Sequence, residues 1–280
     1  MAEITEDILT KVIKKRPSNS HKGNYGRVLL IGGSENYGGA IIMAAEAALN
    51  SGAGLISVAT HAVNLDALHA RNPEVMFIDW RDRNLVNLMK KMDVIVCGPG
   101  LGSGTFALQL MSTICQNISQ NQILILDASA LDMISQDAKL IPTQVGLVVI
   151  TPHQMEWQRL SQIRISYQTD SANLDALKKI FPTQNAILVL KSNHTHVYTK
   201  SNQIFVNPIG NPGMATGGMG DTLAGIIGGF TAQFGDSLDS VLAAVFIHSL
   251  AGDKIAENNY VVRPTEISAM LPQLMSQYAN

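Results

Sequence analysis

The amino-acid sequence predicts an α/β fold in which a mostly parallel central sheet carries helices on both faces. Short, continuous apolar runs recur along the 280 residues, for example Arg27–Ile31 and Leu147–Ile150, and such runs are typical of strands buried on both faces. Helical patterns separate these runs, and this alternation is typical of parallel strands joined by crossover helices. Because no repeat, linker or break in composition divides the chain, we expect residues 1–280 to form a single domain.

The predicted elements follow one another in a regular order. A short amphipathic helix is expected at Ile4–Ile13. The predicted strands are Arg27–Ile31, Leu55–Ala59, Val75–Ile78, Asp93–Cys97, Ile123–Asp127, Leu147–Ile150 and Ala186–Leu190. The further predicted helices are Ala40–Ser51, Arg83–Lys91, Thr105–Ile118, a helix carrying Glu156 and Trp157, Ser171–Ile180, Leu223–Phe234, Ser237–Glu257 and Pro264–Tyr278. Two segments alternate in polarity and predict an antiparallel hairpin, Thr195–Thr199 and Gln203–Val206.

The composition narrows the class of partner. The net charge is −2, only 15% of the residues are charged and 46% are hydrophobic; this favours a large buried core and gives no reason to expect nucleic acid or an anionic membrane as a partner. No apolar stretch reaches the roughly 18 residues of a membrane span, and Met1–Arg16 lacks the apolar region of a signal peptide. Cys97 and Cys115 are predicted to be buried free thiols, so we expect a reducing, cytoplasmic location.

A glycine-rich turn at Asn211–Thr222 leads directly into the predicted helix Leu223–Phe234. The backbone can approach a ligand closely at the glycines of this turn, which are Gly213, Gly217, Gly218 and Gly220. A helix N-terminus presents unpaired N–H groups and the positive end of its dipole, so the turn predicts a phosphate site. Asp221 adds a negative charge there, which is explained if it takes a proton from a hydroxyl or contacts a metal. The alternative is that Asp221 is an ordinary N-cap beside a tight turn.

Polar and glycine-rich segments follow several of the predicted strands. They are Gly32-Gly33, Gly98–Gly104, Asp127, Thr151–His153 and Lys191. Since ligands of parallel sheets bind beyond the carboxyl ends of the strands, we expect these segments at one edge, together with the turn Gly217–Asp221. The P-loop, the dinucleotide-binding G-x-G-x-x-G and the motifs of zinc proteases and esterases are absent, and the histidines show no spacing typical of a metal site.

The segment Gly213–Asp221 resembles the anion hole and catalytic aspartate of the ribokinase-like superfamily. Other matching segments run in the family order over nearly the whole chain, namely Lys22–Arg27, Gly32–Ser34, Gly38–Ala40, Ser51–Gly54, Gly98–Gly102, Thr151–Glu156 and Asn211–Asp221. With these segments the chain resembles, more narrowly, the ADP/ATP-dependent NAD(P)H-hydrate dehydratase family. The resemblance implies a three-layer ribokinase-like fold and an enzyme that repairs hydrated NADH and NADPH.

The resemblance also implies a reaction in two parts. A phosphoryl group passes from ADP, which becomes AMP, or from ATP to the C6 hydroxyl of the S-epimer of the hydrated ring. Phosphate then leaves and restores NADH or NADPH. Asp221 would deprotonate the hydroxyl, and the N–H groups of Gly218, Met219 and Gly220 would hold the developing phosphate charge. Mg²⁺ would bridge phosphate oxygens, and no side chain is assigned as a metal ligand.

Two ligand sites carry over from the family. The nucleotide is expected at Gly220 and at a segment that follows a strand, Lys191, Ser192, Asn193, His194 and Thr195. The hydrated dinucleotide is expected beside Asp221 at Ala40, Gly102 and His153. Each position also has a purely structural interpretation: a solvated lysine at Lys191, helix packing at Ala40, turns at Gly102 and Asn211, and a surface or capping histidine at His153.

The chain departs from the family pattern at two positions. The family usually has a second aspartate where this sequence has Ser129. The chain therefore lacks the carboxylate on which a metal or phosphate role at this position would depend. The family also tends to have glycine at the position of Met155, just before Glu156. We therefore expect the backbone of that turn to differ.

The resemblance implies a homo-oligomer such as a tetramer, acting with a separate NAD(P)H-hydrate epimerase. The leading alternative is a small-alcohol kinase of the same superfamily, of the thiazole or hydroxymethylpyrimidine type. Lys22–Arg27, Gly38–Ala40 and Thr151–His153 count against it. A nucleotide sensor without activity is disfavoured by Asp221, since a binder gains nothing from a carboxylate beside phosphates. The 280 residues include no epimerase-sized extension, so we expect a stand-alone dehydratase rather than half of a bifunctional protein.

Overall fold

Ten strands form one sheet in the computed structural model, which describes residues 1–235 and 238–279. They are β1 (Ala2–Glu3), β2 (Arg27–Ile31), β3 (Leu55–Thr60), β4 (Met76–Asp79), β5 (Val94–Cys97), β6 (Ile123–Leu126), β7 (Leu147–Ile150), β8 (Ala186–Leu190), β9 (His196–Thr199) and β10 (Ile204–Val206). Their order is β1-β10-β9-β8-β7-β6-β5-β2-β3-β4. Every pair from β8 to β4 is parallel, and β9 is antiparallel to both β8 and β10.

Helices cover both faces of the sheet. In the described ranges they are α1 (Asp7–Val12), α2 (Gly38–Asn50), α3 (Leu65–Arg71), α4 (Leu85–Met89), α5 (Thr105–Asn117), α6 (Ser129–Gln136), α7 (Gln154–Ser161), α8 (Asp170–Ile180), α9 (Met219–Phe234), α10 (Leu238–Ala256) and α11 (Pro264–Ser276). Successive strand residues point to opposite faces. In β2, Val28 and Leu30 join a core with α2, α9 and α10, whereas Leu29 and Ile31 join a core with α5 and α6. These two cores confirm the predicted three-layer α/β fold.

The predicted strands are confirmed to within about a residue, and the predicted hairpin is β9 and β10. The cysteines are free as predicted: Cys97 is buried, while Cys115 is partly buried and its thiol donates to the Leu140 carbonyl at 2.8 Å. Within the part of the chain that the structure describes, no helix is long and apolar enough to cross a bilayer.

Some predicted helix boundaries were wrong. The helix predicted at Ile4–Ile13 begins only at Asp7, because residues 2 and 3 pair with β10. The helix predicted from Leu223 begins at Met219, which places Asp221 inside its first turn. Helices α3 and α6 are absent from the prediction; α3 buries only Leu68, so it has no apolar period to detect. The predicted helix start at Ser237 lies outside the described residues.

Close packing of α9 on α2 depends on Gly225. A Cβ at this position would lie 2.1 Å from the Ala44 carbonyl oxygen, which belongs to the backbone and cannot rotate away. We therefore expect Gly225→Ala to lower the free energy of unfolding by about 1–3 kcal/mol, measured by urea denaturation. Gly39→Ala is the matched control, since Gly39 is also helical and has no atom within 4 Å of its would-be Cβ. Equal stability of the two variants would contradict this account of the packing.

Candidate active site

The loops that follow the parallel strands meet at one edge of the sheet. The Lys191 N–H, just after β8, donates to the Pro152 carbonyl after β7 at 2.9 Å. The Gly33 N–H, after β2, donates to the Pro99 carbonyl after β5, also at 2.9 Å. These bonds confirm that the segments predicted to share an edge do so.

The glycine-rich turn ends at Gly218, which is the N-cap of α9 and has a φ of +93°. Only glycine adopts this conformation without strain. The Thr222 N–H bonds back to the Gly218 carbonyl at 3.0 Å, so the N–H groups of Met219, Gly220 and Asp221 precede the first helical bond and have no acceptor inside α9. Asp221 is the third residue of the helix, so the alternative that it is the N-cap is wrong. The turn therefore offers an anion site with a carboxylate beside it.

A buried ion pair lies under this turn. The Lys191 Nζ donates to Asp127 Oδ1 at 2.8 Å, and the two side chains are 19% and 1% exposed. The other oxygen, Asp127 Oδ2, has no hydrogen-bond partner among the described residues. A Cβ at Gly220 would lie 2.9 Å from the Lys191 Nζ, so the ammonium is directly against the first turn of α9.

The charges around Lys191 and Asp221 set their protonation states. Burial lowers the pKa of Lys191, but the nearby carboxylates of Asp127, Glu156 and Asp221 together raise it above its ordinary value. The ammonium therefore stays charged at neutral pH. Burial, and then the negative charge of Asp127, raise the pKa of Asp221 to about 6, with Lys191 opposing and Glu156 adding to the shift. A base with a pKa near the working pH is suited to general base catalysis.

His153 caps helix α7. Its Nδ1 accepts from the N–H groups of Met155 and Glu156 at 3.1 and 3.3 Å, and the Glu156 carboxylate accepts from the His153 N–H at 2.8 Å. This reciprocal arrangement is a capping box, so the capping role is what the structure shows for His153. The ring remains 51% exposed beside the cavity at the edge of the sheet.

A cavity of about 600 Å³ opens between the segment after β8, the Asn211 turn and α10. This volume suits a nucleotide-sized ligand. The predicted nucleotide-site residues that line it are Lys191, Ser192, Asn193, Thr195 and Gly220; His194 does not. The Asn211 side chain, also in the lining, accepts from the Gly213 N–H at 2.9 Å and donates to Asp253 Oδ1 at 2.8 Å. Asn211 therefore holds the turn in place.

Ala40, in the first turn of α2, and Gly102, in the loop after β5, lie outside the lining of this cavity. Ala40 is the third residue of α2 and packs near Gly100, where an added Cβ would lie 3.1 Å from the Ala40 Cβ. The Gly102 N–H donates to Ser129 Oγ at 3.1 Å. Ser129 thus fixes the loop that carries Gly102, a role that needs an oxygen acceptor and no carboxylate.

Sequence reasoning missed two features of the site. It placed Asp127 at this edge of the sheet but not in an ion pair with Lys191, because the partner lies 64 residues away in the chain and leaves no local signal. His248 on α10 is 6% exposed and lines the cavity, and its Nε2 lacks a partner among residues 1–235 and 238–279. Burial lowers the pKa of His248 to about 4, against a backbone hydrogen bond to Met219, so the ring is neutral. No group of three or more His, Cys, Asp or Glu side chains in those ranges is placed to hold a metal ion.

Comparison with known proteins points to one family. A family model described as NAD(P)H-hydrate dehydratase matches residues 28–273. The ADP-dependent (S)-NAD(P)H-hydrate dehydratase of Lactiplantibacillus plantarum is 50% identical over 281 aligned positions, which cover 100% of this chain and 99% of that protein.

Solved structures agree with this family and with the fold. A ribokinase-like superfamily protein of Enterococcus faecalis V583 superposes with a TM-score of 0.94 at 47% identity, covering 100% of this chain and 96% of that one. The ADP/ATP-dependent NAD(P)H-hydrate dehydratase of Bacillus subtilis, co-crystallised with ATP and Mg²⁺, has a TM-score of 0.86 at 26% identity, covering 99% and 98%.

Proposed function

The chain belongs to the NAD(P)H-hydrate dehydratase family, and we propose that it uses ADP or ATP to dehydrate the S-epimer of hydrated NADH or NADPH. The observation that carries the proposal is Asp221, a carboxylate with a pKa of about 6 set beside the unpaired N–H groups at the start of α9. A nucleotide-binding protein without activity has no use for a base at that position. The enzyme is thus a hydro-lyase that consumes a nucleoside phosphate.

The nucleotide would occupy the 600 Å³ cavity. Its phosphates would lie toward Gly220, where the Lys191 ammonium and the N–H groups of Gly218, Met219 and Gly220 converge. Ser192, Asn193 and Thr195 line the remainder of the cavity and are available to the nucleoside. His194 would act only through its backbone, since its carbonyl accepts from the Ser192 hydroxyl at 2.5 Å and shapes the segment.

The hydrated ring would sit on the other side of Asp221, toward Ala40 and Gly102. Asp221 takes the proton of the C6 hydroxyl while that oxygen attacks the terminal phosphorus, and the bond from this phosphorus to the bridging oxygen of ADP or ATP breaks. The ring nitrogen then donates its electron pair, the C6–O bond breaks and phosphate leaves. Loss of a proton from the adjacent ring carbon restores the dihydronicotinamide. The half-exposed ring of His153 is proposed to contact the same substrate.

Mg²⁺ fits this site as an ion that enters with the nucleotide. The described residues form no three-ligand group for a metal, and Mg²⁺ is commonly held by substrate phosphates, water and one or two carboxylates. Asp127 is paired with Lys191 and Glu156 with the His153 cap, so phosphate oxygens and water would supply most of the ligands of the ion. When bound, Mg²⁺ would neutralise part of the phosphate charge.

The proposed function is tested by absorbance at 340 nm with hydrated NADH, Mg²⁺ and either ADP or ATP. A nucleotide-dependent rise with equimolar phosphate release is expected, and the faster nucleotide identifies the donor. No rise in absorbance, together with phosphorylation of a thiazole or hydroxymethylpyrimidine alcohol, would mean that the protein is a small-alcohol kinase instead.

Three further properties remain predictions: a homo-oligomer, a partner epimerase and a cytoplasmic location. Size-exclusion chromatography, a coupled epimerase assay and cell fractionation, respectively, can check them.

The decrease of kcat/KM at acidic pH should follow the protonation of Asp221. The proton acceptor is lost when Asp221 is protonated, so kcat/KM should fall about tenfold per pH unit below a pH of about 6. Asp127, Glu156 and Lys191 are the charged groups that act on it. The assay needs an enzyme-free blank at each pH and circular dichroism to show that the fold is retained. A flat profile down to pH 5 would contradict the role of Asp221.

A further inference from the structure

The family resemblance places Lys191 at the nucleotide but supplies no role for Asp127, its buried partner. Asp127 is fully buried at the end of β6, and its carboxylate touches the Lys191 ammonium at 2.8 Å. Removing a carboxylate from water is costly, and a buried ion pair often contributes nothing net to stability. Such a pair is therefore better explained by what it holds in place.

What it holds is the ammonium of a long, flexible side chain. A free lysine stem populates many rotamers and loses that freedom when a ligand orders it. In this structure the Asp127 carboxylate fixes the Lys191 side chain without any ligand. The Lys191 Nζ lies 2.9 Å from the position that a Cβ on Gly220 would occupy. Gly220 is the second residue of α9, so the fixed cation and the unpaired N–H groups of the helix face the same small volume.

We propose that Asp127 is a positioning residue, which aims the Lys191 ammonium at the nucleotide phosphates bound over Gly220. This inference deepens the proposed function and rests on its nucleotide requirement. Preorganisation of this kind strengthens binding because the ordering is complete before the ligand arrives. The absence of a side chain at Gly220 contributes to this positioning, since any Cβ there would displace the Lys191 ammonium.

The proposal predicts two changes in ADP binding when Asp127 is replaced by asparagine. The affinity for ADP with Mg²⁺, measured by titration calorimetry at pH 7, should fall about 10- to 100-fold, which is the usual weight of a charge-assisted contact. The loss should deepen as the pH rises toward 10.5, the ordinary pKa of lysine. Burial lowers the pKa of Lys191, and without Asp127 only Glu156 and Asp221 oppose it, while the imidazole of His248, whose pKa burial lowers to about 4, adds no charge in that range.

Control variants separate positioning from a general effect on the fold. Asp132→Asn removes an exposed ion pair with Arg159, also 2.8 Å long, from the same region, and should leave ADP affinity unchanged. In a Lys191→Gln background, Asp127→Asn should cause no further loss, because the two residues act as one unit. If Asp127→Asn alone does not fold, the double variant, in which no charge of this pair is left buried without its partner, should still fold. An ADP affinity lower in the double variant than in Lys191→Gln would then overturn the proposal.

The outcomes are distinct from those that test the function. Wild-type ADP affinity in Asp127→Asn, no deepening of its loss as the pH rises toward the ordinary pKa of lysine, or a further loss in the double variant would each overturn the positioning role. Because binding is measured without turnover, a protein that binds ADP as described but dehydrates nothing would overturn the proposed function and leave this inference standing.

Discussion

Replacing Asp221 by asparagine should lower kcat of the nucleotide-dependent dehydration by about 10²- to 10⁴-fold, the usual contribution of a general base. The amide keeps the size of the side chain but cannot take the proton of the C6 hydroxyl. The proposed ADP site is formed mainly by Lys191 and the start of α9, so we expect the affinity for ADP to change little. Steady-state kinetics and ADP titration on the same preparation give both quantities.

Loss of folding should not explain that result. Burial raises the pKa of Asp221 to about 6, so the ionised form is disfavoured in the folded protein and costs stability at pH values above 6. The neutral amide removes this cost, and the free energy of unfolding of Asp221→Asn at pH 8 should equal or exceed that of the wild type. Asp175→Asn, an exposed change on α8, is the matched control for activity. Near-normal turnover of Asp221→Asn would remove Asp221 from the proton transfer.

The layers of the fold could be predicted because their signals are local. Alternate residues of each central strand enter opposite cores, so both faces are apolar, and a run such as Val28, Leu29, Leu30 and Ile31 is visible in the sequence. The phosphate turn was visible for the same reason, because Gly217, Gly218 and Gly220 lie within two residues of the helix start at Met219. Helix α3 was missed because one buried leucine in seven residues makes no pattern.

The electrostatics of the site could not be predicted, since they arise between distant segments. Asp127 and Lys191 each follow an apolar strand, and only the parallel order of β6, β7 and β8 brings them within 2.8 Å. The raised pKa of Asp221 depends first on burial and then on Asp127, neither of which is visible in the turn itself. For His153 the sequence already allowed a capping role, and the course of the backbone after β7 is what selects it.

Replacing Gly218 by alanine should lower kcat/KM by about 100-fold or more, because it would distort the N–H groups that are proposed to hold phosphate charge. Gly218 has a φ of +93°, a conformation that strains any residue with a Cβ. The new Cβ would also lie 2.3 Å from Met43 Cε and 2.5 Å from Met43 Sδ. Gly217→Ala is the neighbouring control, since nothing lies within 4 Å of its would-be Cβ and it has no strained φ.

A second substitution distinguishes the two causes of that loss. Met43→Ala in the Gly218→Ala background removes the steric conflict but leaves the backbone strain, so we expect only a small recovery of kcat/KM. Full recovery would mean that contact with Met43 alone was responsible and that the N–H groups of Met219 and Gly220 keep their direction with alanine at the N-cap. In that case the absence of a side chain at Gly218, and not its left-handed conformation, would be what matters there, for packing against Met43 of α2.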